Sequence, residues 1–126
     1  MSESGELVNL KNVTEATWDA VVTSSELPVV VNFFGPACEH SQKLGPVFGA
    51  LSHRFVNKMR FAKVDVVAER GLAARYAVLS TPTLLFFVSG RPYFMAIGDA
   101  PKHQLESELD HILAQNKRCM ARSSPL

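Results

Sequence analysis

The sequence predicts a single α/β domain in which helices cover both faces of a central mixed β-sheet of four to five strands. Two runs of apolar, β-branched and aromatic residues, 28–34 and 83–88, are typical of strands buried on both faces. A hairpin signal, Ser89-Gly90-Arg91, follows the second run. The element order is β-α-β-α-β-α-β-β-α, which is typical of such a layered sheet.

Shorter patterns supply the remaining elements. The residues 60–66 alternate between apolar and polar and predict a third strand, while 7–10 and 93–97 predict a short edge strand and the hairpin partner. Helices are predicted at 18–22, after a capping signal at 14–17, and at 38–57, 69–76 and 102–115. Pro46 falls inside the second of these helices and should kink it.

Composition indicates an ordinary globular protein. The 126 residues are 47% hydrophobic and 20% charged, so one domain can bury a core without disulfides or metals. The net charge of +1 and the scattered basic residues argue against nucleic acid or an acidic membrane surface as a partner. We expect a flexible N-terminus at 1–6, the domain at 7–115 and a flexible polar tail at 116–126.

The N-terminal residues and the lengths of the apolar runs indicate where in the cell the protein is located. The first residues are polar and acidic and lack the basic start and apolar run of a secretory signal. No apolar run approaches the roughly 20 residues that a membrane span requires. The sequence therefore predicts a cytoplasmic protein, or one of another intracellular compartment, and we expect a monomer.

Cys38 is the residue that carries the most information about function. It follows the strand-like run 28–34 and a small-residue turn, and it stands where the helix 38–57 begins. A thiol at a helix N-terminus has a lowered pKa, because the helix dipole and the unpaired amides favour the thiolate. Ser41 lies three residues later, where a redox pair would have its second cysteine. The other cysteine, Cys119, lies in the polar tail and is predicted to be inert.

The order of the predicted elements and the residues between them resemble those of the thioredoxin family. In that family a buried strand leads through a turn into a Cys-x-x-Cys motif at a helix start, and Val31-Asn32-Phe33-Phe34 is similar to that strand. The family's kink proline lies five residues after the second motif position, and Pro46 lies five residues after Ser41. The motif is therefore Cys38-Glu39-His40-Ser41. The resemblance covers roughly residues 7–113.

The resemblance also implies a substrate groove. Thr81-Pro82 is similar to the family's cis-proline element, which lies across from the thiol and offers backbone hydrogen bonds to an extended peptide. Lys63-Val64-Asp65 is similar to the third strand, and Gly98 to a glycine of the groove. Ala37 takes the place of the tryptophan beside the thiol and belongs to the same groove.

Four departures from the family pattern change the expected chemistry. Ser41 replaces the resolving cysteine, so the site is a monothiol that can form a mixed disulfide but cannot resolve it. Asn32 stands where the family usually has a buried aspartate that assists proton transfer, with Lys63 packed near it. Glu39 and His40 replace glycine and proline and are expected to tune the thiol in opposite directions, and Ala37 removes a large contact surface.

Two functions follow from this pattern. The first is a protein of thiol-disulfide redox homeostasis whose Cys38 forms mixed disulfides with proteins or glutathione, with weak or no dithiol reductase activity. The alternative is a catalytically silent binding module that uses the groove near the cis-proline. Glutathione or Cys119 could resolve the mixed disulfide, or no cycle exists. We expect no metal or other cofactor. Iron–sulfur carriage is the weakest alternative, because a convincing set of glutathione contacts is missing.

Overall fold

The computed structural model describes residues 9–97 and 100–123 of the chain. The strands are β1 (Leu10–Asn12), β2 (Val29–Phe34), β3 (Arg60–Asp65), β4 (Thr83–Val88) and β5 (Arg91–Ile97). The α-helices in this part of the chain are α1 (Glu39–Arg54), α2 (Arg70–Arg75) and α3 (Lys102–Ser123), and a π-helical turn, Asp19–Thr23, lies between β1 and β2. The order matches the order that the sequence predicts.

The five strands form one mixed sheet in the order β1-β3-β2-β4-β5. β3 pairs in parallel with both β1 and β2, whereas β4 is antiparallel to β2 and to β5. The chain passes from β1 to β2 through the π-helical turn and from β2 to β3 through α1, and the β4–β5 hairpin closes the sheet at the other edge. The predicted fold class, a thioredoxin fold with a mixed sheet covered on both faces, is confirmed.

Both faces of β2 are buried because successive side chains point to opposite sides of the sheet. Val30 packs against α1 and α3, in a cluster that includes Phe48, Phe61 and Leu109. Val29, Val31 and Phe33 pack on the opposite face against the π-helical turn and α2, in a cluster that includes Trp18, Leu72 and Phe87. The largely apolar composition of β2 is therefore the consequence of its central position, and Asn32 is its one polar residue.

Three elements differ by three or more residues from the sequence-based expectation. α1 ends at Arg54 rather than at 57. β1 is Leu10–Asn12 rather than 7–10, because Leu10 is registered with Phe61 and the backbone N–H of Val13 continues the ladder to the carbonyl of Lys63. Residues 7 and 8 lie outside the described part. α3 continues to Ser123, eight residues past the predicted end at 115, because residues 116–123 are mostly good helix formers without glycine or proline. Flexibility of the segments 1–6 and 116–126 stays a prediction.

The β4–β5 hairpin turns through Ser89 and Gly90, whose φ angles are 53° and 79°. Positive φ at both central residues is typical of the tight turn that matches the twist of a hairpin. A Cβ at Gly90 would also lie 3.0 Å from the backbone oxygen of Thr23, so the turn sits close against the end of the π-helical turn. Over residues 9–97 and 100–123, no helix has both the length and the apolar character needed to cross a bilayer.

Candidate active site around Cys38

Cys38 caps the N-terminus of α1. β2 ends at Phe34, and the backbone N–H of Cys38 donates to the carbonyl of Gly35 at 3.0 Å, which closes a tight turn between strand and helix. Cys38 has φ −88° and ψ 124°, the extended conformation of an N-cap residue, and its carbonyl accepts the N–H of Gln42 at 3.0 Å. The thiol therefore stands at the positive end of a 16-residue helix.

The loop before β4 lies across the thiol. The Cys38 thiol is partly exposed and donates to the backbone carbonyl of Thr81, with Sγ 3.4 Å from the oxygen. The peptide bond between Thr81 and Pro82 is cis. Thr81 is 43 positions away from Cys38 in the sequence, so the sheet order brings the two together: β2 and β4 are neighbouring strands.

Because Gly35 has no side chain, the turn that contains Cys38 and the loop that contains Thr81 can approach each other closely. A Cβ at Gly35 would lie 2.9 Å from Oγ1 of Thr81 and 3.1 Å from Cβ of Cys38, closer than ordinary van der Waals contact. Any larger residue would displace the Thr81 hydroxyl, the thiol, or both. Gly35 is a functional position that sequence reasoning missed, and the available signal was a glycine placed directly between the buried strand and the thiol.

The surroundings of Cys38 lower the pKa of its thiol from 9.0 to about 7. The largest cause is a hydrogen bond from the side chain of Thr81, followed by the backbone N–H and the hydroxyl of Ser41, with a smaller contribution from the backbone N–H of His40. Burial acts in the opposite direction, and the Thr81 carbonyl also favours the protonated form that donates to it. The lowering causes outweigh burial, so the Cys38 thiol is more acidic than an ordinary cysteine thiol.

This arrangement predicts the pH dependence of alkylation. In a Cys119→Ser background, the rate of iodoacetamide reaction should rise with pH, reach half its maximum at about pH 7 and level off above, because the thiolate is the nucleophile. Thr81→Val keeps the shape but removes the hydroxyl, so its midpoint should move upward, towards 9.0. Thr23→Val is the control: that hydroxyl binds Asp19, so the midpoint should not change. An unshifted midpoint in Thr81→Val would show that the hydroxyl is not the main cause.

Ser41 lies beside the thiol as part of the same hydrogen-bonded turn. It is 5% exposed, and its Oγ accepts the backbone N–H of Gly35 at 3.0 Å. By accepting the Gly35 N–H, the Ser41 oxygen stabilises the strand-to-helix turn. The proton of the same hydroxyl can be donated to the sulfur of Cys38. A hydroxyl cannot displace a sulfur from a disulfide, so Ser41 stabilises the thiolate without resolving a mixed disulfide.

Asn32 and Lys63 lie deeper, on neighbouring strands. The backbone register pairs Asn32 of β2 with Lys63 of β3 and with Leu84 of β4. Asn32 is 3% exposed, and among the described residues its Oδ1 has no hydrogen-bond partner. The Lys63 side chain is only partly buried, with Nζ 5.8 Å from the ring centroid of Phe34. The sequence-based expectation that the two lie near each other agrees with this register.

The other predicted site residues surround the thiol or lie outside the described part. Glu39 and His40 are exposed on the first turn of α1, where the negative charge of Glu39 is favourable for the helix. Ala37 is exposed beside Cys38, and Pro82 is buried behind Thr81. Gly98, predicted for the groove, lies outside the described residues. No group of three or more His, Cys, Asp or Glu side chains in the described ranges is placed to hold a metal ion.

Comparison with known proteins identifies the family. The thioredoxin family model matches residues 9–111. The chain belongs to the thioredoxin family. It is 31% identical over 107 residues to the thioredoxin of Porphyra purpurea, an alignment that covers 85% of this chain and 100% of that protein. It is 33% identical over 101 residues to the thioredoxin of Synechocystis sp., covering 80% and 94% of the two chains.

Plant relatives of the thioredoxin family are longer than this chain. The thioredoxin M2, chloroplastic, of Arabidopsis thaliana is 32% identical over 105 residues, which cover 83% of this chain and 56% of that protein. The M-type thioredoxin of Brassica napus is covered to 57%. The chain thus spans little more than half of these curated relatives. The predicted membership in the thioredoxin family is confirmed.

Proposed function

We propose that this thioredoxin-family protein exchanges disulfides through Cys38 alone, as a monothiol protein of redox homeostasis. The observation that carries the proposal is the pairing of a partly exposed, acidified thiol with a buried serine at the resolving position. Cys38 has the donors that a thiolate needs, whereas Ser41 has only a hydroxyl. Capture of a sulfur is therefore supported, and resolution within the motif is not.

The reaction has two balanced steps. The Cys38 thiolate attacks one sulfur of a partner disulfide, the partner's S–S bond breaks, and a new bond joins Cys38 to the partner. The released partner thiolate takes up a proton from solvent. The thiolate of an external thiol, on a protein or on glutathione, then attacks the partner's sulfur in the mixed disulfide. A new S–S bond joins those two sulfurs, the bond to Cys38 breaks, and Cys38 leaves as a thiolate. The lowered pKa of Cys38 assists this second step as well, because a more acidic thiol is a better leaving group.

This cycle needs no metal or other cofactor, but it needs a compartment that supplies reducing thiols. An intracellular location fits that requirement. Protein thiols and disulfides are the proposed partners, with glutathione as a co-substrate in the release step. The proposed steps use Cys38 and Ser41, whereas Lys63 and Asn32 lie on neighbouring strands.

Intact-mass spectrometry tests the proposal. After incubation with glutathione disulfide at neutral pH, the wild type and Cys119→Ser should each carry a glutathionyl adduct on Cys38, and Cys38→Ser should react far more slowly. Added dithiothreitol should remove the adduct. If Cys38 stays unmodified while Cys119 reacts, exchange through Cys38 is wrong, and the groove would instead serve a catalytically silent binding module.

A further inference from the structure

A cavity of about 230 Å³ lies where β3 begins, at the end of the sheet opposite to the thiol. Arg60, the first residue of β3, lines this cavity, and its backbone N–H donates to the carbonyl of Pro28, the residue before β2. Cys38 lies beyond the other end of β2, which extends for about 17 Å over its six residues. The cavity is therefore separate from the site around Cys38.

Two cationic side chains line this cavity, Lys11 of β1 and Arg60 of β3. Lys11 is registered with Ala62, and Arg60 lies two residues before Ala62 on the same strand. Since paired residues, and residues two apart on a strand, point to the same face, Lys11 and Arg60 are diagonal neighbours on one face of the sheet. Their Cα atoms are about 8 Å apart, a separation that long side chains span. Two like charges in these positions repel each other.

No described carboxylate neutralises either cation. The ion pairs within residues 9–97 and 100–123 are those of Arg54 with Glu106 and Asp110, and the described residues that line the cavity include no acid. An anion in the cavity would be attracted by both Lys11 and Arg60 and would offset the repulsion between them. The charge distribution therefore indicates a negatively charged ligand.

Arg60 is positioned by one hydrogen bond and keeps donors for such a ligand. Its Nη1 donates to the carbonyl of Val21 at 3.2 Å, and no second acceptor among the described residues binds this guanidinium. A guanidinium has five N–H groups in a planar fork, which suits two oxygens of one phosphate group. A phosphate monoester has a second pKa near 6 and is mostly a dianion at neutral pH. Its second charge can pair with the Lys11 ammonium.

The size and the apolar part of the wall limit the rest of the ligand. Val21, Leu27 and Val56 line the cavity together with the two cations. The volume of about 230 Å³ is below the roughly 300–1,000 Å³ of pockets that bind drug-sized ligands. We infer that this cavity binds a small phosphate monoester with an apolar substituent. The phosphate lies between Lys11 and Arg60, and the substituent packs against the apolar wall.

Isothermal titration calorimetry of the full chain tests the class of ligand. The probes are phenyl phosphate, inorganic phosphate and benzoate, each titrated at constant ionic strength and at about pH 7.5, where the phosphates are mostly dianions. Phenyl phosphate should bind most tightly. Inorganic phosphate lacks the apolar group and should bind roughly threefold more weakly. Benzoate has a single negative charge and should bind at least about fivefold more weakly than phenyl phosphate.

Substitutions of the two cations test the location. Lys11→Gln and Arg60→Gln should each weaken the binding of phenyl phosphate at least about fivefold, because each removes one charge-assisted contact. Arg60→Lys keeps the charge but loses the planar fork, so its affinity should lie between those of the wild type and Arg60→Gln. Because Lys11 is exposed, Lys11→Gln tests the site even if Arg60→Gln lowers stability.

Lys43→Gln is the matched control. It removes the same charge from an exposed position of α1 that does not line the cavity. Charges farther away than the Debye length of roughly 8 Å are largely screened, so the affinity should change less than about twofold. Cys38→Ser should bind phenyl phosphate as tightly as the wild type, because the thiol lies at the other end of β2.

Four results would overturn the inference. Phenyl phosphate without saturable binding up to roughly 10 mM, about ten times the Kd of a weak site, would show that no such site exists. Equal affinities of the wild type, Lys11→Gln and Arg60→Gln would place the anion elsewhere. Benzoate binding as tightly as phenyl phosphate would contradict a phosphate ligand. A short phosphoserine peptide that binds more tightly than phenyl phosphate would identify a protein segment as the ligand. Monothiol exchange through Cys38 is independent of all four.

Discussion

Ser41→Cys is expected to form an intramolecular disulfide with Cys38 and to reduce insulin in the presence of dithiothreitol at least about tenfold faster than the wild type, because an intramolecular thiol acts at a high effective concentration. Position 41 is in the first turn of α1, three residues after the N-cap. Its backbone N–H and its hydroxyl both reach the Cys38 sulfur, so a thiol there is also within reach. The turbidity of reduced insulin gives the rate, and intact mass gives the disulfide.

Ser41→Ala is the matched control. It removes the hydroxyl without adding a thiol, so insulin reduction should stay at background. The pKa of Cys38 should rise, because one donor to the thiolate is lost. The buried N–H of Gly35 would also lose its acceptor, at a cost of about 1–3 kcal/mol in the free energy of unfolding. Wild-type activity equal to that of Ser41→Cys would instead reveal a second resolving thiol.

Asn32 should give the largest stability effect in the site. Its Oδ1 is buried and without a partner among the described residues, an arrangement that destabilises the fold. Asn32→Leu removes the polar group and should raise the free energy of unfolding by about 1–2 kcal/mol. Asn32→Asp places a carboxyl in the same position and should lower stability at pH 7 by roughly 2–4 kcal/mol, because burial raises the pKa of a carboxyl.

The pH dependence of Asn32→Asp identifies its cause. Below the unfolded-state pKa of about 3.9, the carboxyl is protonated in both states and no ionisation penalty exists. As the pH rises, the unfolded state ionises first, so stability should fall between about pH 4 and pH 7. Urea unfolding at both pH values measures this. Asn12→Leu, on the exposed edge strand, is the control and should stay within about 0.5 kcal/mol of the wild type. A stability loss independent of pH in Asn32→Asp would contradict ionisation as the cause.

Patterns within single segments determined most of the fold. The mostly apolar runs of β2 and β4 indicate strands buried on both faces, and both strands lie in the interior of the sheet. Ser89 and Gly90 indicate the hairpin, and their positive φ angles explain why this dipeptide suits the turn. β1 was misplaced because an edge strand of three residues, two of them exposed, has little hydrophobic pattern to locate it.

The positions of Cys38 and Ser41 in the candidate site can also be predicted from the sequence. Spacing from the strand and to Pro46 predicts that Cys38 takes the place of the family's first motif cysteine, and its position at the helix start explains part of its acidity. The substitution at the resolving position is visible directly in Ser41. These conclusions depend on local order along the chain, which periodicity and capping rules describe well.

Contacts between distant segments needed the tertiary structure. The carbonyl and hydroxyl of Thr81 approach Cys38 from 43 positions away, and the space over Gly35 makes that approach possible. The orphaned oxygen of Asn32 and the exposed side chain of Leu79 depend in the same way on what the neighbouring segments cover. The sequence alone thus determined that this motif holds one cysteine, Cys38, and a serine, Ser41, three residues later. Only the folded structure showed which groups lower the pKa of Cys38 and which side chains around it are exposed. Both depend on contacts between segments that are distant in the sequence and that the sheet brings together.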